Sequence, residues 1–197
     1  MKKIFLLISI MILAVCAKAE QTVGKYQNTY FGKEFEIEAA LKNDKIQSVY
    51  IGIEAKDAKH AFIAIDGKDL ESFKTALELV KAKYLDWVKV AKGNNVTEMD
   101  KEFDIKFPSV TIAWSGSKWW FSFGQRVKMR FLILDNGKMI AVWAPKVTSS
   151  SNRYIDEQQI YFALEGAEDF DNLLSQLNYQ TILDQLLNKK NNEDLFQ

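Results

Sequence analysis

Apolar and polar residues alternate along several short segments, which is the pattern of β-strands with one buried face. In residues 35–41 apolar side chains occupy the odd-numbered positions, and glutamates lie between the first three of them. Asn43 and Asp44 follow with the composition of a tight turn, and residues 49–53 and 61–65 continue the apolar pattern. The first third of the chain therefore predicts three antiparallel strands.

The period then changes, and apolar residues recur every three or four positions. This spacing predicts one amphipathic helix over residues 68–90, ended by a Gly-Asn-Asn sequence at residues 93–95. Residues 170–177 show the same spacing near the C-terminus, and residues 182–187 extend or follow that helix. The pattern thus predicts two amphipathic helices, one in each half of the chain.

A second series of strands lies between the two helices. Asp135-Asn136-Gly137 is its clearest hairpin signal, and a polar loop covers residues 148–152. Gly124-Gln125 is either a bulge or a tight turn. The predicted strands of this series are residues 103–107, 109–114, 119–123, 127–133, 139–147 and 158–165.

Together these elements predict an α+β fold, in which a mainly antiparallel sheet packs against the two helices. Residues 62–67 and 161–166 align with each other, and each is a strand that ends in an acidic residue and glycine before a helix. The likeness suggests a tandem duplication of a strands-then-helix unit. We expect one compact domain over residues 20–197, with two similar halves, 20–97 and 98–190, as an alternative organisation.

The N-terminus has the three parts of an export signal. Two lysines precede an apolar run over residues 4–15, and a small-x-small cleavage sequence follows at residues 17–19. The run is shorter than the roughly 20 apolar residues that a membrane span needs. We therefore expect a bacterial signal peptide over residues 1–19, a mature chain that begins at Glu20 without a transmembrane span, and a periplasmic or extracellular location.

Cys16 supports a different outcome of the same export. Residues 13–16 resemble a lipobox, in which a lipidated cysteine becomes the mature N-terminus. Val15 departs from the small residue that normally precedes that cysteine. A lipid anchor at Cys16, and hence an outer-membrane lipoprotein, is the alternative to a freely exported protein.

Two scarce residue types narrow the chemistry. Cys16 is the only cysteine and His60 the only histidine of the 197 residues. Without Cys16 the mature chain holds no thiol nucleophile or zinc-thiolate site, and one histidine is too few for a multi-histidine metal site. We expect no metal site, no cofactor and no catalytic residue of these types. A carboxylate-dependent, carbohydrate-active hydrolase stays open, because it needs only two acids.

Charge is uneven along the chain. Removal of the signal peptide leaves 23 basic against 26 acidic residues, so we expect no nucleic-acid partner. Residues 118–153, in contrast, hold seven cations and a single acid, Asp135, among several tryptophans and phenylalanines. This segment is where a binding surface for an anionic ligand is expected.

Period-two alternation selects candidate site residues within that segment. The residues that would share one face of a strand running regularly through Gly124 are Trp120, Arg126, Lys128 and Arg130. A ring beside cations suits an anionic glycan, because rings stack on sugars while cations meet charge. A tight turn at Gly124 would instead put these residues on different strands.

The sequence therefore predicts an exported, non-enzymatic binding or interaction protein, whose partner is an anionic glycan or an envelope protein. A structural or inhibitory component of an envelope complex is a further alternative. Such a component would expose a large apolar patch or form a stable dimer.

Overall fold

An eleven-stranded sheet and three helices make up the part of the chain that this computed structural model describes, which is residues 20–116, 118–151, 154 and 157–194. All strand pairs in this part are antiparallel, which confirms the predicted α+β class. The predicted signal peptide and Cys16 lie outside the described residues. Within those residues, no helix combines the length and the apolar composition needed to cross a membrane.

The elements have the following bounds. The strands are β1 (Gln21–Asn28), β2 (Lys33–Lys42), β3 (Lys45–Ala55), β4 (Ala61–Asp66), β5 (Met99–Glu102), β6 (Val110–Ser115), β7 (Trp119–Gln125), β8 (Arg130–Ile133), β9 (Met139–Trp143), β10 (Lys146–Val147) and β11 (Gln158–Glu165). The helices are α1 (Leu70–Gly93), α2 (Gly166–Gln176) and α3 (Tyr179–Asp194), and a 3-10 turn, Gly67–Asp69, leads into α1.

The sheet curls so that its two ends approach each other. Its main strand order is β5-β8-β9-β11-β3-β4-β6-β7, with β1 and β2 branching from β3. Strands β7 and β8 stand near opposite ends of this order, yet only residues 126–129 join them. Five Cα steps reach at most about 17 Å. The inner face of the sheet is therefore concave, and it holds the main core.

Helix α1 fills this concave face through the stripe that its helical spacing predicts. Leu70, Phe73, Leu77 and Val80 have no exposed surface. The Tyr84 hydroxyl donates to the carbonyl of Met139 in β9 (2.6 Å) and accepts from the backbone N–H of Gly166 (3.0 Å). One side chain of α1 thus ties the sheet to the start of α2.

A smaller apolar cluster lies on the opposite face of the sheet. Ile140, Val142 and Ala163 form it, and Tyr30 and Phe31 of the β1–β2 turn pack against it. This turn covers part of the outer face, whereas the outer face around β7 keeps exposed rings.

Three local expectations about strands were wrong. Residues 103–107 are not a strand, and the pairing with β8 is made by the preceding charged segment β5. Residues 127–129 lie outside β8. The single strand expected over residues 139–147 is split into β9 and β10 around Pro145, which has no N–H for the sheet.

Candidate binding surface on strand β7

A β-bulge interrupts β7 at the glycine where the sequence allowed either a bulge or a turn. Ser122 pairs with Ile112, but Gln125 pairs with Val110, so β7 has one residue more than β6 over this interval. Gly124 has a φ of 66°, a left-handed conformation that a glycine adopts without steric cost. The bulge exchanges the side of the sheet on which even-numbered and odd-numbered side chains lie.

The burial pattern records this exchange. Before the bulge, Trp120 and Ser122 are buried on the inner face. After it, Val127 and Met129 are buried instead, at 5% and 2% exposure. The side chains on the outer side of this segment are therefore Trp119, Phe121, Phe123, Arg126 and Lys128, which we call the β7 strip.

The four residues selected by regular alternation do not share one face. Trp120 is only 9% exposed and belongs to the main core, with the Lys118 ammonium 4.4 Å from its ring centroid. Arg126 and Lys128 are both exposed. The structure thus keeps these two cations together and separates them from Trp120, because the bulge interrupts the alternation that linked them.

Arg130 points outward but already has acidic partners. Its Nε lies 2.6 Å from Asp100, and its Nη1 lies 3.8 Å from Glu102. The hydrogen bond to Asp100 raises the pKa of the Arg130 guanidinium, with a smaller contribution from Glu102. The charge of Arg130 is therefore compensated within the protein.

Arg126 and Lys128 form one wall of a cleft of about 470 Å³. The other wall is residues 102–109, held in place by the hydrogen bond from the Phe103 N–H to the Met129 carbonyl (3.0 Å). The lining combines apolar side chains with three cations and two acids. These residues are Ile105, Phe107 and Val127, then Lys106, Arg126 and Lys128, then Glu102 and Asp104, together with Ser109.

The three cations of the cleft are available to a ligand. Within the described part of the chain, Lys106, Arg126 and Lys128 form no ion pair, whereas Lys81 and Lys138, for example, are paired with acids. The apolar side chains lower the local dielectric and strengthen interactions with a bound charge. The cleft can therefore hold an anionic group.

Aromatic rings occupy the other end of the β7 strip. Trp119 is 43% exposed and Phe123 57% exposed. The rings of Phe121 and Phe123 are parallel within 3° and their centroids lie 6.1 Å apart, while Trp119 lies 5.8 Å from the Phe62 ring. Contacts among neighbouring rings hold this surface in place, and it can stack against flat or ring-shaped ligands.

The edge of β7 beside these rings is hydrogen-bonded. The Ser150 N–H donates to the Phe121 carbonyl (2.8 Å), and the Phe123 N–H donates to Ser150 Oγ (3.0 Å). The segment around Ser150 thus satisfies backbone groups that an edge strand would leave free. A ligand would therefore contact the side chains of the β7 strip on the face of the sheet, rather than add a strand to the edge of β7.

Sequence reasoning missed Trp119, Phe121, Phe123 and Lys106 as site residues. Residues 119–121 are three consecutive aromatic side chains, so alternation does not tell which rings face inward. Apolar residues occupy the odd-numbered positions Val127, Met129 and Phe131, whereas the buried tryptophan before Gly124 is at the even-numbered position 120. This change from even to odd positions is the sign of a bulge. Lys106 reaches the site only through tertiary structure.

An acid-lined cleft lies elsewhere, beside β5 and β8. It measures about 430 Å³ and includes Glu98, Asp100 and Asp135. Asp100 is engaged by Arg130. Among the described residues, no group of three or more His, Cys, Asp or Glu side chains is arranged to hold a metal ion.

His60 is exposed beside the start of β4. Its backbone N–H donates to Ser115 Oγ (3.1 Å), and its carbonyl accepts from the Ser115 N–H (2.9 Å). These contacts place it as a residue flanking a strand.

No family model, curated protein or solved structure matches this chain.

Proposed function

We propose that this protein is an exported, non-enzymatic binding protein whose ligand is an acidic glycan, held on the β7 strip and in the adjoining cleft. The observation that carries the proposal is the position of three cations, Lys106, Arg126 and Lys128, which form no ion pair with the described residues and surround one cleft beside exposed rings. This arrangement supports both contacts that an acidic sugar needs.

Each contact has a physical basis. The planar guanidinium of Arg126 can donate two parallel hydrogen bonds to a carboxylate or sulfate, and the lysines add positive charge. The faces of Trp119 and Phe123 offer apolar contact to the C–H groups of a sugar ring. The cations attract the acidic group of the ligand, and the flat ring faces complement the shape of its sugar rings.

Composition supports the absence of catalysis, and the N-terminal pattern supports export. His60 is the only histidine, and the only cysteine lies in the predicted signal peptide. Mass spectrometry of the protein from its producing cells tests the export. A mature N-terminus at Glu20 is expected, whereas a lipid-modified Cys16 would make it a lipoprotein, and an intact Met1 in the cytoplasm would end the export proposal.

Binding is tested by calorimetric titration of the mature protein with acidic oligosaccharides. The Arg126→Ala, Lys128→Ala double variant should lose at least about tenfold in affinity, since each charged hydrogen bond contributes about 1.5–3 kcal/mol. The matched control Lys42→Ala, Lys45→Ala removes two exposed cations of the β2–β3 hairpin and should change affinity by less than about twofold.

Affinity should also fall as salt increases, because the cations of the cleft are solvent-accessible. Equal binding by the two double variants would contradict the site. Binding of an envelope protein without any glycan binding would replace the glycan with a protein ligand.

The acid-lined cleft favours a second candidate, a carboxylate-dependent hydrolase. Glu98 and Asp135 line it together, and glycoside hydrolysis needs two carboxyl groups. Turnover of a glycan panel that is abolished by Glu98→Gln and Asp135→Asn, and retained by Glu78→Gln on α1, would establish this activity in place of simple binding. Glycan binding without any turnover would rule out the hydrolase.

A further inference from the structure

We infer that the ligand of the β7 strip is an oligosaccharide in which neutral and carboxylate-bearing sugars alternate, with one carboxylate in the cleft and neutral sugars on the rings. This inference rests on the proposed function and adds the composition and length of the glycan.

Rings and cations are segregated along the strip rather than mixed. The strand β7 itself carries no charged residue between Trp119 and Gln125. The neighbouring outer-face residues of β6 are Thr111, Ala113 and Ser115, which are also uncharged. The nearest cation along the chain, Lys118, lies over the ring of Trp120. Among the described residues of β6 and β7, an anionic sugar placed on the rings would therefore meet no compensating charge.

The cleft has the charge and size for one acidic unit. Its three cations face two carboxylates, Glu102 and Asp104, and Glu102 also pairs with Arg130 outside the cleft, which leaves one to two positive charges for a ligand. Its volume of about 470 Å³ lies at the lower end of the range for small-molecule sites. A uronic acid with one negative charge matches this cleft better than a polymer with charge on every unit.

The strip is longer than one sugar. Trp119 and Phe123 are four positions apart, which corresponds to about 13 Å along a strand, and the cleft lies beyond them. A single uronic acid would fill the cleft and leave the rings uncovered. Several linked sugars are needed to contact both parts, so affinity should rise with the length of the oligosaccharide.

Four probes test this inference by calorimetric titration: glucuronic acid, a neutral N-acetylglucosamine hexamer, a hyaluronan hexasaccharide in which neutral and acidic sugars alternate, and a fully acidic galacturonic acid hexamer. The alternating hexasaccharide should bind most tightly, and glucuronic acid should bind weakly but measurably. The galacturonic acid hexamer should gain little over glucuronic acid. The neutral hexamer should bind more weakly than the alternating one.

Variants separate the two parts of the strip. Trp119→Ala, Phe123→Ala should weaken the alternating hexasaccharide by about tenfold or more and leave glucuronic acid unchanged, because stacking on a ring contributes about 1–3 kcal/mol. Trp119→Tyr alone, with Phe123 unchanged, keeps an aromatic ring at position 119 and should retain most of the affinity for the alternating hexasaccharide. Leu79→Ala, Val90→Ala removes two exposed apolar side chains of α1 and should have no effect.

The outcomes distinguish this inference from the proposed function. If no acidic probe binds, the proposed function fails. If glucuronic acid binds but length adds nothing, or the galacturonic acid hexamer binds most tightly, the proposed function stands and the segregated ligand is wrong. Thermal unfolding of each variant verifies that a loss of affinity does not come from a loss of folding.

Discussion

Trp119 and Trp120 are adjacent in the chain but lie on opposite sides of the sheet, with 43% of Trp119 and 9% of Trp120 exposed. The bulge at Gly124 then decides which of them accompanies the cations. It places Trp119 on the same side as Arg126, and it places Trp120 on the same side as buried Val127. The ring that lies beside Arg126 is thus the one that regular alternation assigns to the opposite face.

A buried carboxylate joins the two ends of the chain, and its removal should be costly. Asp169 has no exposed surface and accepts hydrogen bonds from the backbone N–H groups of Thr29 (2.8 Å) and Glu165 (2.8 Å). Asp169→Ala removes the charged acceptor of both part-buried hydrogen bonds, which should cost about 1.5–3 kcal/mol for each. Asp169→Asn keeps one acceptor oxygen and should cost less. Urea unfolding measures both losses.

A neighbouring aspartate is the control for Asp169. Asp171 is exposed and pairs with Lys81 on α1 (2.5 Å). Asp171→Asn should cost less than about 1 kcal/mol, as surface pairs usually do. If Asp171→Asn destabilised the protein more than Asp169→Ala, the clamp at Thr29 and Glu165 would not be the stabilising contact.

Two glycines at opposite ends of the same strand-to-helix region should respond to alanine in opposite directions. A Cβ at Gly67 would overlap the backbone carbonyl of Ile46, whereas a Cβ at Gly93, the last residue of α1, would meet nothing within 4 Å. Gly67→Ala should destabilise by about 1–3 kcal/mol or more. Gly93→Ala should stabilise by about 0.4–1 kcal/mol through a less flexible unfolded chain. Equal midpoints in thermal unfolding would refute the close packing at Gly67.

The outer side of β2 should make stability depend on pH. Burial raises the pKa of Glu38, and the charges of Glu20 and Glu36 raise it further. A carboxyl group whose pKa is raised by folding stabilises the folded state most at pH values below its unfolded pKa. This stabilisation is lost as pH rises through the folded pKa. Glu38→Gln should therefore raise the melting temperature at pH 7, and the gain should shrink as pH falls toward about 4.3.

Glu34 on the same strand is the control for that experiment. Its carboxylate lies 2.9 Å from the Lys25 ammonium, and both side chains are about half exposed. Glu34→Gln removes this pair and should lower stability by no more than about 1 kcal/mol at pH 7. A gain of stability from Glu34→Gln equal to that from Glu38→Gln would mean that net charge, and not the site of Glu38, sets the effect.

Local patterns were sufficient to predict much of the fold. The apolar spacing of Leu70, Phe73 and Leu77 indicates α1 because a helix brings these positions onto one face, and the structure buries all three. The Asn43-Asp44 turn and the hairpin at residues 135–137 follow from turn chemistry that depends only on nearby residues. These features need no information from distant parts of the chain.

Features that depend on distant pairing were missed. The strand β1 contains a register shift between Thr22 and Gly24, and its apolar residues do not alternate. The strand β5 is exposed at every position and exists because it pairs with β8. Lys106 lines the same cleft as Arg126, beside the hydrogen bond from the Phe103 N–H to the Met129 carbonyl, which joins residues 26 positions apart. No local pattern encodes these contacts.

The location of the proposed binding site depends on which side chains around the Gly124 bulge face solvent, and hydroxyl-radical footprinting with mass spectrometry measures this directly. Trp119 and Phe123 should be oxidised much faster than Trp120, and the bound alternating hexasaccharide should protect Trp119 and Phe123. Faster oxidation of Trp120 than of Trp119 would contradict the bulge, the β7 strip and the binding site built on them.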